Sequence, residues 1–150
     1  MNVKPQREVA FSWAISANPM AMSCVYHMSK SILLIDDDGP FRRALSLFLE
    51  NNGFTCREAA NGLEALALLD GGLSVDLIIS DYHMPIMNGL NFLKALSYRT
   101  IGRNIRVILL SGNMTKEMEH EAKHAGAFGV LAKPYDHDEL LALVSRGCQP

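Results

Sequence analysis

Residues 32–37 read Ile-Leu-Leu-Ile-Asp-Asp, a short apolar run that ends directly in two acids. Three more runs of this kind follow. Leu77-Ile78-Ile79-Ser80 delivers Asp81, Val107-Ile108-Leu109-Leu110 delivers Ser111, and Val130-Leu131-Ala132 delivers Lys133. Runs that are apolar nearly throughout, such as 77–79 and 107–110, fit strands of a parallel sheet covered on both faces. Such a sheet gathers the residues at its strand ends along one edge, where ligands bind in open α/β folds.

Working outward, strand and helix patterns alternate five times from residue 30. Strand-like runs cover about 31–35, 54–58, 75–80, 105–110 and 127–132. In the first intervening helix Phe41, Ala44, Leu45, Phe48 and Leu49 recur at i, i+3, i+4, i+7 and i+8, one buried stripe. Asp38-Gly39-Pro40 signals its start and Asn52-Gly53 its stop. A second helix opens at Asn61-Gly62, carries Leu63, Leu66 and Leu69, and ends at Gly71-Gly72. The third begins near Asn88 with Leu90, Leu93 and Leu96, while a fourth, about 115–124, is mostly polar. Asp136-His137-Asp138-Glu139 resembles a capping box opening a fifth through Leu140, Leu141 and Val144. Parallel strands need crossover helices, and one follows each strand. The expected architecture is a doubly wound α/β sandwich on a five-stranded parallel sheet.

Bulk properties narrow the function classes. A chain of 150 residues, 49% hydrophobic, supports one core, and a net charge of -2 offers no general attraction to nucleic acid or anionic membranes. Cys24, Cys56 and Cys148 are odd in number and far apart, which argues against a disulfide or zinc framework and for a reducing, cytoplasmic setting. Residues 1–29 differ from the rest. Glu8, Ser12 and Ser16 interrupt an otherwise apolar 9–15, so the stretch is expected to be a poorly ordered extension rather than a secretory signal, with Met28 a plausible initiator.

Asp36, Asp37 and Asp81 would crowd together at the sheet edge, and like charges held close oppose joint ionisation. They therefore suit a hard divalent cation such as Mg2+, which takes few carboxylates and completes its shell with water and phosphate oxygens. Lys133 adds a mobile positive charge, Ser111 a hydroxyl donor, and an aspartate can act as a covalent nucleophile on phosphorus. That inventory supplies the alignment and charge neutralisation phosphoryl transfer needs.

The motifs Ile32-Leu33-Leu34-Ile35-Asp36-Asp37-Asp38, Asp81-Tyr82-His83-Met84-Pro85-Ile86-Met87-Asn88-Gly89, Leu110-Ser111-Gly112 and Lys133-Pro134-Tyr135 resemble the receiver domain of two-component response regulators over about residues 30–147. The resemblance implies a flavodoxin-like (βα)5 fold with strand order 2-1-3-4-5; about three residues follow the family's last helix, so no effector domain is expected, and the chain reads as a stand-alone receiver or a fragment of a longer regulator. It implies Asp81 as phosphoacceptor from a histidine kinase or phosphotransfer protein, with Mg2+ held by Asp36, Asp37, Asp81 and the His83 backbone carbonyl. Lys133 would contact the phosphoryl group before a cis Pro134, and Ser111 would move toward it. His83 and Asn113 take the two positions that tune access of water to the acyl phosphate. The output face would be formed by the fourth helix, fifth strand and fifth helix, with a downstream protein as partner and a homodimer through that face compatible. One position departs from the family: Val130 stands where a Tyr or Phe usually does, the nearest upstream aromatic being Phe128. Signalling is therefore expected to lean on the loop after Ser111 and the fourth helix.

Other readings compete with these. A haloacid-dehalogenase-type phosphohydrolase would make Asp36 the nucleophile, but leaves Asp81-x-x-Met84-Pro85 unexplained and lacks a later acidic motif. A flavodoxin-like cofactor protein would need a first loop that cradles phosphate, and three acids there have the wrong sign. A pseudo-receiver that binds partners without phosphorylation is opposed by the intact five-residue set. Phe41 is either core or an exposed contact for a kinase's helical bundle. Among the histidines, His120 and His124 share a helix face at i, i+4 without an evident third ligand, and read as a solvated face.

Overall fold

The structure, a computed structural model, describes residues 28–150. Five strands, β1 (Ser31–Ile35), β2 (Thr55–Ala59), β3 (Leu77–Asp81), β4 (Arg106–Ser111) and β5 (Gly129–Ala132), form one sheet in the order β2-β1-β3-β4-β5. Every pairing is parallel. The helices α1 (Gly39–Asn51), α2 (Gly62–Asp70), α3 (Gly89–Ser97), α4 (Lys116–His124) and α5 (His137–Gly147) are the crossovers and final cover, with a 3-10 turn over Thr100–Asn104.

Strand parity sorts the core into two layers. Ile32, Leu34, Leu77, Ile79, Ile108, Leu110 and Leu131 point to one face and pack under α1 and α5. Leu33, Ile35, Ile78, Val107 and Leu109 point to the other, under α2, α3 and α4. This two-sided burial explains why the central strands carry apolar residues at consecutive positions.

Capping side chains set the helix starts. Asp38 accepts from the Phe41 N–H, Asn61 from Glu64, Asn88 from Asn91 and Thr115 from Met118, each satisfying an otherwise orphan donor. Asp136 accepts from both Asp138 and Glu139. Asn52 caps the end of α1 and Gly53 follows at φ +89°, where a side chain would be strained.

Several expectations shift. Ala44 is exposed, and the inner stripe of α1 is Leu45, Ser46 and Leu49, with Phe41 and Phe48 partly buried. In α2, Leu63 is 49% exposed and Ala65 takes the buried place beside Leu66 and Leu69. Both misplacements arise because a 3.6-residue period lets two neighbouring positions compete for the edge of one face. β5 begins at Gly129, two residues later than expected, so Phe128 precedes it. The helix α4 buries only Ala122 within its span, in accord with its polar sequence. Most of the expected extension at 1–29 lies outside the described residues.

Candidate phosphoacceptor site

The C-terminal ends of β1 and β3 are neighbours in the sheet, with Ile35 opposite Ser80. The residues that follow therefore meet above the edge. Asp36 and Asp81 are buried, Asp37 is exposed, and carboxylate oxygens of all three lie within 4.8 Å of one another. From β5 Lys133 reaches back across the sheet, its Nζ 3.0 Å from Asp81 Oδ1 and 3.2 Å from Asp36 Oδ2. Its backbone is fixed by donation from the Lys133 N–H to the Ser111 carbonyl at 2.7 Å, and the Lys133-Pro134 peptide that follows is cis.

Electrostatics follow from this crowding. Burial pushes the Asp81 carboxyl above its ordinary range, with the charges of Asp36 and Asp37 in the same direction and the Lys133 ammonium opposing. Burial disfavours a charged Lys133, yet its bond to Asp81 and the two carboxylates outweigh that and hold its pKa above the usual lysine value. One ammonium cannot balance three carboxylates. The donor set is all oxygen and partly solvated, which fits a hard divalent cation.

Asp36 is the most constrained of the three. Its Oδ1 accepts the Asp38 N–H at 2.9 Å, its Oδ2 takes Lys133, and its backbone carbonyl accepts from Arg42, whose Nε also meets Glu58 at 2.9 Å. Lys133 Nζ lies 4.1 Å from the Phe41 ring centroid, a cation–π contact that roofs the site. Phe41 is thus both part of the α1-side core and part of the site wall. The sequence carried no separate signal for Arg42, whose role depends on β2 lying beside β1.

The remaining candidates surround this centre. Ser111 is fully buried at the end of β4, its Oγ accepting the Asn113 N–H at 3.2 Å. His83 is exposed on the loop after β3, its ring 5.1 Å from that of Tyr82. Val130 is half-buried against the core beneath α2–α4. Phe128 lies under the Arg106 guanidinium at 5.1 Å, at the opposite end of β5, and does not replace the missing ring. Cys56 and Cys148 are free, and burial pushes the Cys56 thiol up to about 11, which leaves it protonated and inert at neutral pH.

The loop after β3 stores strain. Ile86 sits at φ +71° and is 76% exposed, while the Met87 N–H donates to the Pro85 carbonyl at 2.7 Å, a γ-turn centred on a β-branched residue. Glycine has no Cβ to clash in that conformation, so Ile86→Gly is expected to raise stability by about 1 kcal/mol. Urea titration would check it, and a loss of stability would mean that Ile86 is held by packing.

The response regulator receiver domain model matches residues 32–145. The chain belongs to that family. This receiver is similar to the sporulation initiation phosphotransferase F of Bacillus subtilis, 34% identical over 119 residues, 79% of this chain and 94% of that protein. The DNA-binding transcriptional regulator NtrC of Salmonella typhimurium is 36% identical over 115 residues, and the receiver spans only 24% of that regulator's length. Among solved structures, the chemotaxis protein CheY4 of Vibrio cholerae matches with a TM-score of 0.73 at 33% identity, over 79% of this chain and 98% of that one. The receiver is thus a phosphoacceptor module of two-component signalling. None of its described helices is long and apolar enough to cross a membrane.

Proposed function

We propose that Asp81 is the phosphoacceptor of this receiver, that residues 30–147 form the functional unit, and that it acts in the cytoplasm on a phosphoryl group from a histidine kinase or a phosphotransfer protein. The observation that carries this is the Lys133 ammonium shared between Asp81 and Asp36 inside a trio of carboxylates. Lys133 occupies one oxygen of Asp81 and leaves the other to attack phosphorus. The P–N bond of the donor phosphohistidine breaks as the P–O bond to Asp81 forms, and the imidazole departs with the electron pair. Asp36, Asp37, Asp81 and the His83 backbone carbonyl would hold Mg2+, whose charge supplies neutralisation of the phosphoryl oxygens.

Lys133 then follows the new negative charge, and the Ser111 hydroxyl turns from the Asn113 N–H to donate to a phosphoryl oxygen. That motion pulls on residues 112–115 and hence on α4, whose weak burial lets it respond. With Val130 in place of an aromatic ring, this route carries the signal to a protein partner on the α4, β5 and α5 face, where a homodimer is also compatible. The receiver's own chemistry is self-directed transfer and autodephosphorylation.

Incubation with a small-molecule phosphodonor and Mg2+ tests the assignment. Phosphate incorporation is expected in the wild type, absent in Asp81→Asn, and detectable though slow in Asp36→Asn. Incorporation that survives Asp81→Asn but not Asp36→Asn would instead favour a phosphohydrolase-type nucleophile at Asp36.

A further inference from the structure

Within α4 residues 120–124 read His-Glu-Ala-Lys-His, two histidines four apart on a helix with an acid between them. Side chains at i and i+4 lie one above the other, about 6 Å apart along the axis. The His120 and His124 rings take up that arrangement, near parallel at 19° with centroids 6.4 Å apart. Both are exposed. They open onto a cavity of about 490 Å³ between α3 and α4, whose wall also carries Lys94, Tyr98 and Glu121. The phosphoacceptor chemistry uses none of these groups.

The same spacing serves hydrolytic zinc sites, where the glutamate is a general base, but such sites also need a third protein ligand. Among the described residues the only group of three ligating side chains is the aspartate trio. A hydrolytic centre is therefore not built here, whereas two exposed imidazoles one turn apart can swing onto one ion by side-chain rotation. We propose that His120 and His124 chelate one divalent transition-metal ion (Cu2+, Ni2+ or Zn2+) through their imidazole nitrogens, with water completing its shell. Imidazole suits these ions and is a poor ligand for Mg2+, so the two sites of the chain sort cations by ligand type. Lys123, the cation nearest in sequence, is drawn aside by its i, i+4 pair with Glu119. Holding both histidines on one ion would brace the last two turns of α4.

The test uses the full untagged chain with Mg2+ in large excess, so that the aspartates are saturated. Cu2+ electron paramagnetic resonance at one equivalent is expected to show superhyperfine splitting from two imidazole nitrogens. Zn2+ competition against a chromophoric chelator is expected to weaken about tenfold or more in His120→Ala and in His124→Ala, because each removes the chelate. His137→Ala is expected to leave binding unchanged. Far-UV circular dichroism of the metal-free variants would separate loss of ligand from loss of helix. A spectrum with oxygen ligands only, or Zn2+ binding equal in the wild type and the doubly substituted chain, would overturn the proposal. Neither result would bear on phosphorylation of Asp81.

Discussion

Gly89→Ala is expected to destabilise the receiver by about 3 kcal/mol, among the largest effects of any single methyl group. A Cβ at Gly89 would stand 2.4 Å from the Asp81 carbonyl oxygen and 3.1 Å from both the Tyr82 Cα and a Leu109 methyl. Two of those obstacles are backbone and cannot rotate away. The Gly89 N–H donates to the Tyr82 carbonyl at 2.9 Å, so α3 starts in direct contact with the end of β3. Relief of the clash must move either the helix or the strand end that carries Asp81, and phosphorylation should slow along with the loss of stability. Gly112→Ala is the matched control, since nothing lies within 4 Å of its added methyl. Urea midpoints for the two variants decide the matter: equal midpoints would show that the close approach is not a constraint.

Lys133→Ala has the next largest expected effect, a loss of about 2 kcal/mol at neutral pH. Removal of one partner from a fully buried ion pair costs about 3–5 kcal/mol, and the 22% exposure of the Lys133 side chain admits some screening water. The sign of the pH dependence follows from Asp81. Burial already pushes its carboxyl up, and loss of the ammonium pushes it further. A raised carboxyl pKa means that the folded state holds the proton more tightly than the unfolded chain. The deficit relative to wild type should then be smallest in acid and grow as pH rises through the carboxylate range. Saturating Mg2+ is expected to restore much of the lost stability, because it supplies the missing positive charge. A Lys133→Ala protein as stable as wild type in metal-free buffer at pH 7 would contradict this electrostatic reading.

These two residues show how far the chain could be read unaided. The strand ends were legible because a doubly covered parallel strand must be apolar at consecutive positions, and the polar residues that close each run mark the edge. Asp36, Asp37, Asp81, Ser111 and Lys133 all stand at such ends, and the structure sets the three carboxylates within 4.8 Å of one another with Lys133 paired to Asp36 and Asp81. Helix starts were legible through their caps, as at Asp38 and Asp136. Faces were less so: Ala44 and Leu63 sit at the margins of their apolar stripes, and only packing decides which margin is covered. Gly89 stood within a recognised motif, yet the reason for a glycine there appears only when α3 is laid against β3. Arg42 and the contact of Phe41 with Lys133 join parts of the chain distant in sequence, and no local pattern announces them.

Signalling by this receiver turns on which carboxyl oxygen takes the phosphoryl group. Reductive trapping answers this: the chain, phosphorylated by a cognate kinase or a small donor in Mg2+, is treated with borohydride, which converts an aspartyl phosphate to homoserine, and its peptides are sequenced by mass. Homoserine at position 81 alone is the predicted result. Homoserine at position 36 or 37, or a wild-type chain that yields none under conditions where a known receiver is labelled, would contradict it.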